Sequence, residues 1–244
     1  MTDACPADAS QQRAARVAGA AFLLAIVLVI VANYGINFRL IIPGNAVDTA
    51  RNLQAHGTLF RLNVACNLAY VATLLVLLTA LLRVLEPVDR DLARMAALGR
   101  LVTALMWGIT ALNSLSALRF LGDAAYLSAF QVGQLQALTR LQLAGSYDAY
   151  YVGLPFWGLA STLCCWLWFR SRYIPRGLAL VGLVSSAWCV ACAFAFLVFP
   201  AFATVVNASW FDVPLVLFEL VLGGWLLAKG LKRTVKEQTD PGMP

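Results

Sequence analysis

Six stretches of the chain are apolar for long enough to cross a lipid bilayer, and short polar connections separate them. They cover about residues 17–36, 62–82, 97–120, 150–169, 178–199 and 210–231, and a spanning helix needs roughly 20 such positions. Two connections carry helical signals of their own. In "IIPGNAVDTARNLQAHGTLF", Asn45 precedes Asp48 by three residues, a capping-box-like pair that predicts a short helix over 46–55. In "YLSAFQVGQLQALTRLQL", Leu127, Phe130, Leu135, Leu138 and Leu141 recur at helical spacing with Gln between them. That spacing predicts a second amphipathic helix, either packed on the bundle or acting as a lid. The expected fold class is therefore all-α: a polytopic membrane bundle of six transmembrane helices with two short outer amphipathic helices. It forms a single domain over 1–244, with residues 1–14 a cytoplasmic tail and 235–244 a disordered one.

Composition supports this. The chain has 244 residues, 61% of them hydrophobic and 12% charged, with a mean hydropathy of +0.77. Soluble domains carry about a quarter charged residues. The net charge of +6 lies at the ends of the apolar runs rather than in one patch, which argues for bilayer topology and against nucleic acid. With the N-terminus inside, thirteen of the eighteen basic residues, Arg100 among them, fall on the inner side. Arg39, Arg51, Arg61, Arg119 and Arg140 fall outside. Both termini are then cytoplasmic, in a cell inner membrane or plasma membrane. The first apolar run continues to Tyr34 with no clear cleavage site, so it reads as a spanning helix and not a signal peptide.

Of six cysteines, Cys5 lies in the N-terminal tail and the others lie in apolar segments, which excludes a loop-stapling disulfide framework. "CVAC" at 189–192 has redox spacing, but inside an apolar helix its thiols act as small hydrophobes. The lone histidine, His56, has no carboxylate or thiolate near it in sequence, so no metal site is expected. There is no hydrolase, zinc-protease or nucleotide motif, and no cofactor is expected.

Polar residues inside the apolar runs are the informative ones. His56, Phe60, Asn63, Asn67 and Tyr70 share one face of the second helix, and Asn113, Ser114 and Ser116 lie at similar depth in the third. Asn and Ser often serve only as interhelical hydrogen bonds, about 1 kcal/mol each. Glu219 is different, because an intramembrane carboxyl is by default a functional hypothesis. Asp212 lies seven residues before it, ~10 Å along the same helix face, and Gly223 and Gly224 offer room for a close neighbour. With no cation within two turns on its own helix, Glu219 is expected to be neutral and to donate a hydrogen bond to Asn67 or Asn113.

The inner "FRSRYIPR" (169–176), the outer "IPGNAVDTARN" and the closing "FELVLGGWLLAKG" stand in an order and spacing that resemble one family. It is an uncharacterised family of six-helix bacterial membrane proteins catalogued as a domain of unknown function. The resemblance runs from about Arg13 to Lys232 and implies the topology without an activity. It departs from the family pattern at Asn45, where Asp is more usual; either residue caps a helix. The arginines of "FRSRYIPR" read as headgroup anchors, with Tyr173 and Trp168 in an interfacial belt.

Three functions fit these residues. The first is an outer-facing polar cavity, lined by Asn63, Asn67, Tyr70, Asn113 and Ser114, that binds a small amphiphile or lipid for sensing or regulation. The second is an intramembrane acid–base enzyme, an isomerase or cyclase, using Glu219 and Asp212 on an isoprenoid-like substrate. The third is a proton-coupled transporter, disfavoured because no internal repeat emerges. Membrane lipids are the expected partners, and no feature of the sequence fixes the oligomeric state.

Overall fold

A computed structural model describes residues 8–207 and 210–232, and among these it contains helices and no strand. Seven α-helices carry the chain: α1 (Ala9–Leu40), α2 (Ala46–Ala55), α3 (Gly57–Leu85), α4 (Arg90–Arg119), α5 (Val132–Ser171), α6 (Arg176–Val198) and α7 (Val213–Ala228). Short 3-10 turns, Ala125–Ala129 and Pro200–Thr204, precede α5 and α7. Five helices are long and apolar enough to cross a membrane: α1, α3, α4, α5 and α6. The sixth apolar run forms α7, which has 16 residues and spans ~24 Å, short of a ~30 Å hydrocarbon core.

The helix starts follow local chemistry. Asp8 Oδ1 accepts from the Gln11 amide at 2.6 Å while Gln11 Oε1 accepts from the Asp8 amide at 3.1 Å, a reciprocal box opening α1. The expected cap of α2 is present: Asn45 Oδ1 accepts from the Asp48 amide at 2.9 Å. Asp89 Oδ1 takes the Leu92 amide at the start of α4.

Two expectations change. The amphipathic stretch around 127–141 is not a separate helix; it runs into the fourth apolar segment as the 40-residue α5, with Pro155 inside. Gly145, Ser146 and Asp148, between the two expected helices, are compatible with a continuous helix, and Ser146 uses its polarity to hold α4. Ser146 Oγ donates to the Thr110 carbonyl at 3.3 Å, and Thr110 Oγ1 donates to the Ser146 carbonyl at 3.2 Å. Tyr173 and Trp168 are also not interfacial: each is 1% exposed, and their rings meet edge-on at 6.5 Å. The disordered tail expected over 235–244 lies outside the described residues.

The chain divides into two compact units. Unit 1 takes residues 1–23, 75–101 and 155–244, and unit 2 takes 24–74 and 102–154. In unit 1, Gln12 pairs its amide with both backbone groups of Leu231, at 2.9 and 3.0 Å, tying the start of α1 to the end of α7. Arg83 Nε donates to Ser10 Oγ at 2.9 Å, and Arg170 pairs with Asp89 at 3.1 Å. In unit 2 the apolar core gathers Ile36, Leu40, Leu53, Phe60, Ala117 and Leu143.

Outward faces also carry many large apolar side chains. On α4, Leu98, Leu105 and Leu112 repeat every seven residues and are 61%, 57% and 57% exposed. A helix that presents such a stripe to its surroundings is suited to lipid rather than water. The chain is a multi-pass membrane protein.

Candidate functional site

Among the ion pairs described in unit 1, one is buried, where α4, α5 and α7 meet. Arg100 Nη2 lies 3.3 Å from Glu219 Oε1, with the two side chains 3% and 10% exposed. Glu219 Oε1 also accepts from Trp157 Nε1 at 3.1 Å and from Ser161 Oγ at 3.3 Å. Arg100 Nη2 donates to Ser161 Oγ at 3.3 Å as well, which closes a triangle of guanidinium, hydroxyl and carboxylate. The Phe22 ring covers the guanidinium at 5.4 Å, and Cys164 stands beside it.

Small residues make the approach possible. A Cβ on Gly99 would lie 3.1 Å from Ala160 Cβ and 3.3 Å from the Phe156 carbonyl, so α4 and α5 touch one residue before Arg100. A Cβ on Gly19 would lie 2.7 Å from both the Gly223 carbonyl and the Leu227 amide, so α1 and α7 cross backbone to backbone one turn from Glu219. Gly223 thus has the packing role its sequence suggested. Gly224 meets nothing within 4 Å.

The expected partners of Glu219 are replaced. It accepts hydrogen bonds at one oxygen and pairs with Arg100; Asn67 instead donates to Asn63 Oδ1 at 2.9 Å. The expected partners were wrong because a partner cation was sought only along α7, whereas α4 supplies Arg100. Arg100 correspondingly does not stand at the end of its helix. The apolar run beginning near residue 97 placed it at a membrane boundary, but α4 begins at Arg90, which sets Arg100 ~15 Å inside the helix. The overlooked signal was Asp89, whose side chain caps the true helix start.

The remaining sequence candidates fall in two groups. Asp212 belongs with Glu219 to unit 1, half-buried at the start of α7, where its carbonyl accepts from the Leu215 and Val216 amides. Asn63, Asn67, Tyr70, Asn113 and Ser114 all belong to unit 2. There, Asn67 Nδ2 donates to Asn63, Asn63 Nδ2 to Asn37 Oδ1 at 3.0 Å, and Asn37 Nδ2 to Asn33 Oδ1 at 3.1 Å, a directional chain of amides. Asn63 also holds the Ala32 carbonyl at 2.7 Å, where α1 widens into a π-helical stretch, Ile30–Asn37. Such widening leaves carbonyls in need of outside donors. Tyr70 packs on Trp107 at 4.6 Å, Ser114 Oγ lies 3.4 Å from Ser146 Oγ, and Asn113 faces Gly145. Cys189 and Cys192 are buried free thiols. Among the described residues no group of three metal-ligating side chains forms.

Two features make the ion pair chemically incomplete. Arg100 Nε is buried and has no hydrogen-bond partner. Arg100, Trp157 and Ser161 all donate to Glu219 Oε1, and among the described residues no donor reaches Oε2.

The chain belongs to the family described as "Domain of unknown function (DUF4386)", which matches residues 17–230 and so includes Phe22, Arg100, Trp157, Ser161 and Glu219. Neither a curated protein nor a solved structure matches the chain.

Proposed function

We propose that this family member is a membrane-embedded binding protein that holds the polar head of a small amphiphile at the Arg100–Glu219 pair. The observation that carries the reading is the pair's buried unmet donor, Arg100 Nε, beside a carboxylate whose hydrogen bonds all fall on Oε1. A buried ion pair brings little net stability, since desolvation offsets much of its attraction. Ionisable groups inside spanning helices mark function by default. A head group that both accepts and donates a hydrogen bond completes the pair, and a neutral hydroxyl does this without opposing either charge. An anionic head meets Glu219, and a cationic one meets Arg100. The reading moves the head-group site expected around the asparagines to this pair, and sensing or regulation remains its purpose.

The acid–base enzyme is a second reading, favoured by the free oxygen of a carboxylate held beside Trp157. Asp212, two turns away along α7, is less suited to act with it. In this reading α7 together with the turn at 210–212 before it makes a sixth spanning segment, and both termini are cytoplasmic, as the distribution of basic residues favours.

The binding reading is tested by thermal unfolding of the purified protein in detergent with 1-decanol, decanoate, decylamine or decane. A ligand of the folded state raises the unfolding temperature by mass action. 1-Decanol is expected to stabilise the wild type more than the other three compounds, and to lose that advantage in Arg100→Met/Glu219→Met. Equal stabilisation by decane would mean that only apolar surface is bound and would end the proposal.

A further inference from the structure

Unit 2 carries a second charged feature that is independent of the ion pair. A cleft of about 300 Å³ is lined by Arg61, Leu115, Leu118, Arg119, Asp123 and Tyr126, with Gly122 and Ala124 between them. Arg61 lies one turn into α3 and Arg119 is the last residue of α4, so the cleft sits where one helix begins and the other ends. Among the described residues, neither arginine nor Asp123 has an ion-pair partner within 4 Å. Two free cations, one free anion and a Tyr126 ring that is 66% exposed therefore face one opening. The floor is apolar: Leu115 and Leu118 are half-buried, and Leu112, one turn earlier on α4, is 57% exposed on the lateral face. Leu112, Leu115 and Arg119 stand at spacings of three and four, forming one stripe that leads from the apolar face to the charged rim.

We infer that this cleft binds a zwitterionic phospholipid whose phosphate is held by Arg61 and Arg119 and whose ammonium is held by Asp123 and the Tyr126 ring. Paired arginines match phosphate oxygens. A carboxylate among them weakens an anion with no compensating cation, but it adds a partner when the ligand carries an ammonium, and an exposed tyrosine face attracts the same charge. The acyl chain lies along the Leu112–Leu115 stripe. A phosphate ester with a primary ammonium, as in phosphatidylethanolamine, is the class that uses all four polar groups.

The test is native mass spectrometry of the purified full chain exchanged into equal mixtures of phosphatidylethanolamine and phosphatidylglycerol. The wild type is expected to retain the ethanolamine lipid about fivefold over the glycerol lipid, one charge contact at the membrane surface. Asp123→Asn should invert the preference toward the anionic lipid, and Arg61→Gln/Arg119→Gln should release both lipids. These side chains are exposed, so an unchanged unfolding temperature checks that the variants fold. Equal retention of both lipids by the wild type, or a ratio untouched by Asp123→Asn, overturns the assignment. Displacement of the lipid by equimolar glycerophosphoethanolamine overturns the lipid as occupant.

Discussion

At the scale of single residues, the decisive group is Arg100, because its position determines what Glu219 is. A carboxyl alone in a spanning helix has no partner for its charge; Glu219 has a guanidinium, an indole and a hydroxyl converging on a single oxygen. Removing one member of a buried pair strands the other, which costs about 3–5 kcal/mol, whereas replacing both with apolar residues is often neutral. Arg100→Met alone should therefore lower stability by that amount, and Arg100→Met/Glu219→Met should recover most of it. Denaturant unfolding in detergent measures the cycle. Single and double variants with additive losses would show that the two side chains do not interact.

At the scale of elements, packing between helices rests on where a side chain is missing. Gly19 faces backbone atoms of α7 that have no room to retreat, while Gly224 faces open space. Gly19→Leu should destabilise the fold by about 1–3 kcal/mol or more through overpacking. Gly224→Ala should be neutral or stabilising by up to about 1 kcal/mol, since alanine is the better helix former. Thermal unfolding of the two variants checks the contrast, and equal losses would contradict the crossing geometry. Element identity was legible in the apolar pattern, and the cap of α2 was legible to the residue in Asn45 and Asp48. Element ends were less legible. Polar residues such as Ser146 and Arg100 make contacts between helices, which a pattern of apolar runs does not report.

At the scale of the whole molecule, the membrane class followed from composition because burial cannot hide so many apolar residues in a chain of this size. The site did not follow, since the partner of Glu219 lies 119 positions away and no local spacing reports it. Orientation rests on the basic residues. In a Cys5→Ser background, a cysteine at exposed Gln134 should be labelled by an impermeant maleimide in intact cells, and one at exposed Asp91 should not. The opposite pattern would invert the topology. The central claim, that the Arg100–Glu219 pair receives a polar head group, is tested most directly by infrared spectroscopy. In the difference between wild type and Glu219→Gln, a carboxylate stretch is predicted, and it should shift when 1-decanol is added but not when decane is added. A carboxylate band unmoved by 1-decanol at concentrations that stabilise the protein, or no carboxylate band at all, would contradict the account.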